Sequence, residues 1–241
     1  MKTARLDLGS RSLGEGQPCL IAAHVRTAHE GEADAALRLI EAAFQAGADA
    51  IVFPVYRTAD LLARRHPERR EMEQAELGAR EWRKVLAAAK ASGLAVVAEV
   101  YDLAGRDLAA EAGVDGYQAH PSDLDHPDLL RALAEAGRPL LLGAGGATDA
   151  QVREALDAAG GAPALLLGPA TAPAAPEELR LGELASARDR FRVPVGLLDG
   201  TDGGSAFAPA APAAAAARGA DSVQRRLTLA RSRRGRDWAA A

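Results

Sequence analysis

Eight short apolar runs, rich in Val, Leu and Ile, alternate with Ala-rich amphipathic stretches along almost the whole chain. The runs lie at 20–24, 50–55, 95–101, 116–120, 139–143, 164–168, 194–199 and 222–227 and read as strands. Between them, 32–46, 71–91, 103–112, 127–136, 149–159, 176–191 and 209–218 read as helices. Several of these helices stop at a glycine just before the next strand (Gly47, Gly113, Gly219), the residue that takes the left-handed cap at least cost. Strand–helix alternation with short connections implies parallel pairing through right-handed crossovers. Eight such units in 241 residues match the size of a (β/α)8 TIM barrel. An open doubly wound sheet is the other candidate, but no Gly-x-Gly-x-x-Gly follows the first strand. The expectation is one barrel domain over 1–241 with its last helix truncated or missing, because 232–241 is too short and too polar to supply it. Such a gap leaves apolar surface between the first and last strands, which predicts a homodimer or a hetero-oligomer.

Composition removes several classes. With 29 Lys and Arg against 33 Asp and Glu, a net charge of −4 gives no basic field for nucleic acid. No apolar run approaches the roughly 18 residues of a membrane span. A start without an apolar leader and a single cysteine, Cys19, point to a reducing, cytoplasmic setting. The three lysines, Lys2, Lys84 and Lys90, fall away from the strand ends, so Schiff-base chemistry is excluded. No nucleophile elbow or Walker loop is present.

In a barrel the chemistry sits at the carboxyl ends of the strands, on inward-pointing side chains. Period-two alternation turns His24, Glu99, Tyr101, Gln118, His120 and Arg226 into that mouth. His24, Glu99 and His120 can form a facial set for a divalent metal, or act with Tyr101 as a general acid–base group. Glycine-rich turns after the fifth and seventh strands place Gly145, Gly146 and Thr148, and Asp199 and Thr201, at helix N-termini that favour anions. Arg26, Arg57, Gln118 and Arg226 complete the candidate substrate or anion contacts; Arg225 faces outward by the same alternation. The charged insert at 57–70 follows the second strand and reads either as a solvated loop or as an anion-catching lid.

These residues resemble a family. Leu13-Gly14-Glu15-Gly16-Gln17-Pro18-Cys19-Leu20, Ala46-Gly47-Ala48-Asp49-Ala50, Tyr101-Asp102-Leu103, Gly137-Arg138-Pro139 and Val193-Pro194-Val195-Gly196 are similar to the barrel of N-acetylneuraminate (sialic acid) synthases and their pseudaminic and legionaminic relatives. The resemblance implies a TIM barrel, and in family members a metal-dependent condensation of phosphoenolpyruvate with an N-acetylated amino sugar. It also implies departures here. The strand-one glutamate is His24, and the strand-two lysine and glutamine are Val52 and Pro54. The strand-four lysine is Gln118, and the two metal histidines fall on Gly200 and Arg226; Asp199, Thr201 and Thr228 stay in register. The family's C-terminal antifreeze-like domain has no counterpart in this sequence.

Two functions follow. One is a retooled enzyme acting on a small polar sugar-like or carboxylated metabolite through His24, Glu99 and His120. The other is a noncatalytic barrel kept as a binding or scaffolding subunit of a partner protein. An open mouth with the three side chains converging separates the first from the second.

Overall fold

A computed structural model describes residues 5–14, 16–169, 171–232 and 238–241. Two short strands come first, β1 (Leu6–Leu8) and β2 (Arg11–Leu13), paired antiparallel with Leu6 opposite Leu13. They are followed by β3 (Leu20–His24), α1 (Ala33–Gln45), β4 (Ala50–Val55), α2 (Thr58–Leu61), α3 (Arg69–Gln74), α4 (Ala79–Ala91) and β5 (Ala95–Val100). Next are α5 (Leu103–Glu111), β6 (Gly116–Ala119), α6 (Pro127–Glu135), β7 (Leu140–Gly143), α7 (Asp149–Ala159) and β8 (Ala164–Leu167). The series ends with α8 (Glu183–Phe191), β9 (Val195–Asp199), α9 (Ala210–Ala217) and β10 (Ser222–Arg226). Strands β3 to β10 pair in parallel in chain order, and β10 closes on β3 with Arg226 beside His24. This is the expected (β/α)8 barrel. Among the described residues a single 3-10 turn, Trp238–Ala240, follows β10; residues 233–237 of the tail lie outside the described residues.

Helix α1 forms because Ala35, Ala36, Leu39, Ile40 and Ala43 recur at three- and four-residue spacing and bury one stripe on the sheet. Helix α4 repeats the logic with Trp82, Val85, Leu86 and Ala89. Strands covered on both faces need apolar residues at every position. Accordingly, β4 and β5 are buried end to end.

Three departures from the sequence reading have physical causes. The stretch 71–91 is two helices, because Gly78 adopts an extended conformation and starts α4 afresh. The stretch 176–191 is a 3-10 turn, Pro176–Leu179, then α8, the two separated by left-handed Arg180. The third is the β1–β2 hairpin, which the reading omitted. Leu6, Leu8 and Leu13 of the hairpin cluster with Leu20, Ala22, Val52, Val97, Leu141 and Leu166 from the barrel interior. The hairpin therefore plugs the amino-terminal end of the barrel. Gly116 makes room for it: a Cβ there would lie 2.5 Å from Leu8 Cδ2. A larger core fills the space between strands and helices.

Candidate active site

At the opposite end the strands stop on polar residues. Glu99, the fifth residue of β5, is only 1% exposed and is the hub of the group. Tyr101 donates its hydroxyl to Glu99 Oε2 at 2.7 Å, and Gln118 Nε2 donates to Glu99 Oε1 at 2.9 Å. His24 Nε2 lies 3.5 Å and Arg26 Nη1 3.8 Å from Glu99 Oε2. Gln224 of β10 extends the row across the barrel by donating to Gln118 Oε1 at 2.6 Å. The sequence reading missed Gln224, although it shares the inward parity of Arg226.

Burial pushes the Glu99 carboxyl up, but the attraction and hydrogen bonding of His24, with the favourable fields of His120 and Arg26, outweigh it and hold the group well below the usual carboxylate range. Burial, then the Glu99 charge, pushes the Tyr101 phenol well up, so it stays protonated. Burial lowers His120 against the opposing pull of Glu99, with Arg26, His24 and Arg226 adding to the lowering. Hydrogen bonding fixes the same state. The Ser122 backbone N–H donates to His120 Nδ1 at 3.2 Å, and the Ser122 hydroxyl lies 2.9 Å from the same nitrogen. An Nδ1 that accepts from a backbone N–H carries no proton, so the neutral ring keeps its proton on Nε2.

A cavity of about 160 Å³ opens above this group. It is lined by the polar side chains of Arg26, Thr27, Tyr101, His120 and Ser122, by Pro54 and Tyr56, by Leu61 and Leu62 of the insert and by Met72 of α3 just beyond it. Glu68 stands at its exposed rim. Arg26 holds φ +50°, a left-handed backbone uncommon for a side-chain-bearing residue, at the edge of this cavity. The rings of Tyr101 and His120 lie 5.5 Å apart and tilted, and Tyr56 meets Tyr101 edge-on at 6.3 Å. Because the Tyr101 hydroxyl donates its hydrogen bond to Glu99, its oxygen is left to accept, while His120 and Arg26 present donors.

The insert thus covers the mouth, but with apolar side chains and not with its arginines. Arg57 is turned to solvent, pairs with Asp60 beside it and does not line the cavity. The anion contacts expected of the glycine-rich turns are also differently used. Thr148 caps α7 in a reciprocal pair with Gln151, so its hydroxyl is taken. Gly145 packs against the Pro169 carbonyl, and Gly146 turns the chain at φ +79°. Asp199 faces outward, pairs with Arg225 at 2.5 Å and accepts the Thr201 N–H at 2.9 Å. Arg226 ends β10 beside His24, outside the cavity lining. Asp123, three residues beyond His120, which directly follows β6, was missed. Burial and the Glu99 charge raise it to about 6, and its Oδ2 has no hydrogen-bond partner among the described residues.

The geometry lends no support to the metal reading of His24, Glu99 and His120. Among the described residues no three His, Cys, Asp or Glu side chains group as a metal centre. Both Glu99 oxygens already accept hydrogen bonds, the Arg26 cation stands beside one of them, and His120 Nδ1 is held by Ser122. Gly200 and Arg226, at the positions the resemblance assigns to metal histidines, offer no ligand. The donor set does not fit the divalent ion that the resemblance implies.

Comparison with known proteins gives a consistent picture. The chain is 28% identical over 239 residues to an uncharacterized protein of Methanocaldococcus jannaschii, covering 98% of this chain and 69% of that one. It is 25% identical over 242 residues to N,N'-diacetyllegionaminic acid synthase of Campylobacter jejuni, covering 92% and 71%. The structure of the spore coat polysaccharide biosynthesis protein SpsE of Bacillus subtilis superposes with a TM-score of 0.86 at 25% identity, over 99% of this chain and 67% of that one. The N-acetylneuraminic acid synthetase of Leptospira borgpetersenii shares the fold at a TM-score of 0.92 and 23% identity, over 100% and 84%. A family model for NeuB matches residues 39–241, and on that match the chain belongs to the NeuB family.

Proposed function

We propose that this chain is a NeuB-family barrel retooled as an enzyme for a small, negatively charged metabolite, acting without the family's metal. The observation that carries the reading is the buried, ionised Glu99 with Tyr101, Gln118, His24 and Arg26 all within 4 Å of it, beneath an open cavity. Assembling so many polar groups in a barrel interior is costly unless they are used together. Glu99 orients the site and does not itself meet the ligand. Neutral His120 donates from Nε2 to a ligand oxygen and polarises it, as a preorganised donor does where charge develops. Arg26 supplies the positive charge. Asp123, in the 3-10 turn after His120 and outside the cavity lining, is raised to about 6 and is the proposed group that exchanges a proton near neutrality. The reading is tested by incubating the protein with a panel of small carboxylated and phosphorylated metabolites and following consumption by mass spectrometry. Turnover of one such compound by the wild type and its loss in His120→Phe is the expected result. If nothing in the panel is consumed or bound, the enzyme reading fails.

The second reading, a noncatalytic subunit held by a partner chain, is supported by a different observation. Ile21 on the outer face of β3 is 37% exposed next to the β3–β10 seam, and among the described residues no α-helix follows β10. A second copy of this chain is the proposed cover. Sedimentation of the wild type beside Ile21→Glu tests it: an assembly that the substitution dissociates supports the reading, and a monomer in both refutes it.

A further inference from the structure

We infer that the cavity above Glu99 is built for a small carboxylate carrying a short apolar tail, with the carboxylate against Arg26 and His120 and the tail under Leu61, Leu62 and Met72. This rests on the reading of the cavity as the substrate site and adds the class of molecule it takes. The lining has two sources. The ends of the strands bring the polar Arg26, Thr27, Tyr101, His120 and Ser122, whereas the 57–72 segment brings Leu61, Leu62 and Met72, with exposed Glu68 as its one charged member. A polyhydroxylated ring carries hydroxyls on every face, and those turned to the insert would be buried without partners.

The size agrees. The cavity holds about 160 Å³, and an apolar protein cavity of about 150 Å³ is filled by benzene. It therefore takes roughly six to eight non-hydrogen atoms, about half of an N-acetylated amino sugar. Charge selects the head group. Arg26 and Arg226 both act on His120, whose proton is already on the nitrogen that donates. An anionic oxygen accepts from such a ring and from a guanidinium, whereas an ammonium head placed there would meet the Arg26 cation and a donating ring. Tyr101, its proton committed to Glu99, offers an acceptor beside the head group for a hydroxyl or amine on the next carbon.

NMR titration of the full chain with four probes tests this: acetate, 3-methylbutanoate, 3-methylbutanol and N-acetylmannosamine. Each buried methylene improves affinity roughly three- to fourfold, so 3-methylbutanoate is expected to bind on the order of thirtyfold more tightly than acetate. The alcohol, lacking the charge, is expected to bind at least about tenfold more weakly than the acid. Leu62→Asp and, independently, Met72→Glu are expected to erase the advantage of 3-methylbutanoate over acetate while the far-ultraviolet spectrum stays that of the wild type. Equal binding of the two acids, or tighter binding of the sugar than of 3-methylbutanoate, overturns the substrate class and leaves the site. If all four fail to shift the Arg26 and His120 resonances, the site reading itself falls.

Discussion

Replacing Glu99 by glutamine keeps the shape of the side chain and removes its charge, which makes it the sharpest probe of the hub. The wild-type carboxylate accepts hydrogen bonds from Tyr101 and Gln118 and faces His24 and Arg26. A hydrogen bond to a charged group contributes about 1.5–3 kcal/mol, and stranding the partners of a buried charge costs about 3–5 kcal/mol. Glutamine still accepts one of the two bonds, so E99Q is expected to lose about 3 kcal/mol at neutral pH, or about 6–12 °C in Tm for a domain of this size. The loss has a pH signature. The folded protein holds Glu99 below its ordinary value of 4.5, so on acidification the unfolded chain takes up that proton first. The contribution of Glu99 is therefore complete above pH 4.5 and disappears as the pH falls through the lower folded-state value. E99Q lacks it throughout, so the gap between the two proteins must close below pH 4.5. His29, pushed by burial from 6.5 to about 4, adds an acid sensitivity in that interval that both proteins share, and subtraction removes it. Urea unfolding across the acid range, read by circular dichroism, measures both effects. A neutral-pH gap under about 1 kcal/mol, or a gap that persists unchanged into acid, would refute Glu99 as an ionised hub.

Asp123→Asn should move the other way. A carboxyl raised in the folded state is stabilising below its ordinary 3.8 and loses that advantage as the pH rises through about 6. The variant should be more stable than wild type at pH 8 by about 1 kcal/mol, allowing for solvent screening of a half-buried group; equal melting curves there would remove Asp123 from the poised group. Leu8→Ala empties part of the barrel plug and should cost about 2–5 kcal/mol in urea unfolding; a loss below about 1 kcal/mol would mean that the hairpin is not part of the core. Chelation by EDTA should leave both the melting temperature and any anion binding unchanged. Stoichiometric transition metal in purified protein, lost in the His24→Ala/His120→Ala variant, would restore the metal reading.

The strands were legible because parallel barrel strands are buried on both faces and leave uninterrupted apolar runs such as Ala50-Ile51-Val52-Phe53. The parity of the site was legible for the same reason that strands alternate: His24, Glu99, Gln118 and Arg226 all lie on inward positions of paired strands. Contacts across the barrel were not. Gln224 reaches Gln118 over a sequence separation that no local pattern encodes. The division between a buried Glu99 and a cavity-facing His120 depends on how far each side chain extends past its strand. The hairpin was readable in Leu6-Asp7-Leu8 and Arg11-Ser12-Leu13 around Gly9-Ser10, but three-residue strands carry too little periodicity to stand out from a loop. The insert's charged residues drew attention, whereas the side chains that line the cavity from this part of the chain are Leu61, Leu62 and, just beyond it, Met72, with Glu68 the one charged member.

The seam between β3 and β10 sets how this chain must fold. It pairs Leu20 with Ser222 and His24 with Arg226, segments separated by roughly two hundred residues, so the ring closes only through a contact of very high order and correspondingly slow formation. During synthesis β3 keeps an open edge until the closing strand emerges, and Ile21 and Ala23 stand on that edge throughout. Ile21, exposed in the finished molecule and proposed there as a seat for a partner, is therefore also exposed to mispairing while the chain is being made.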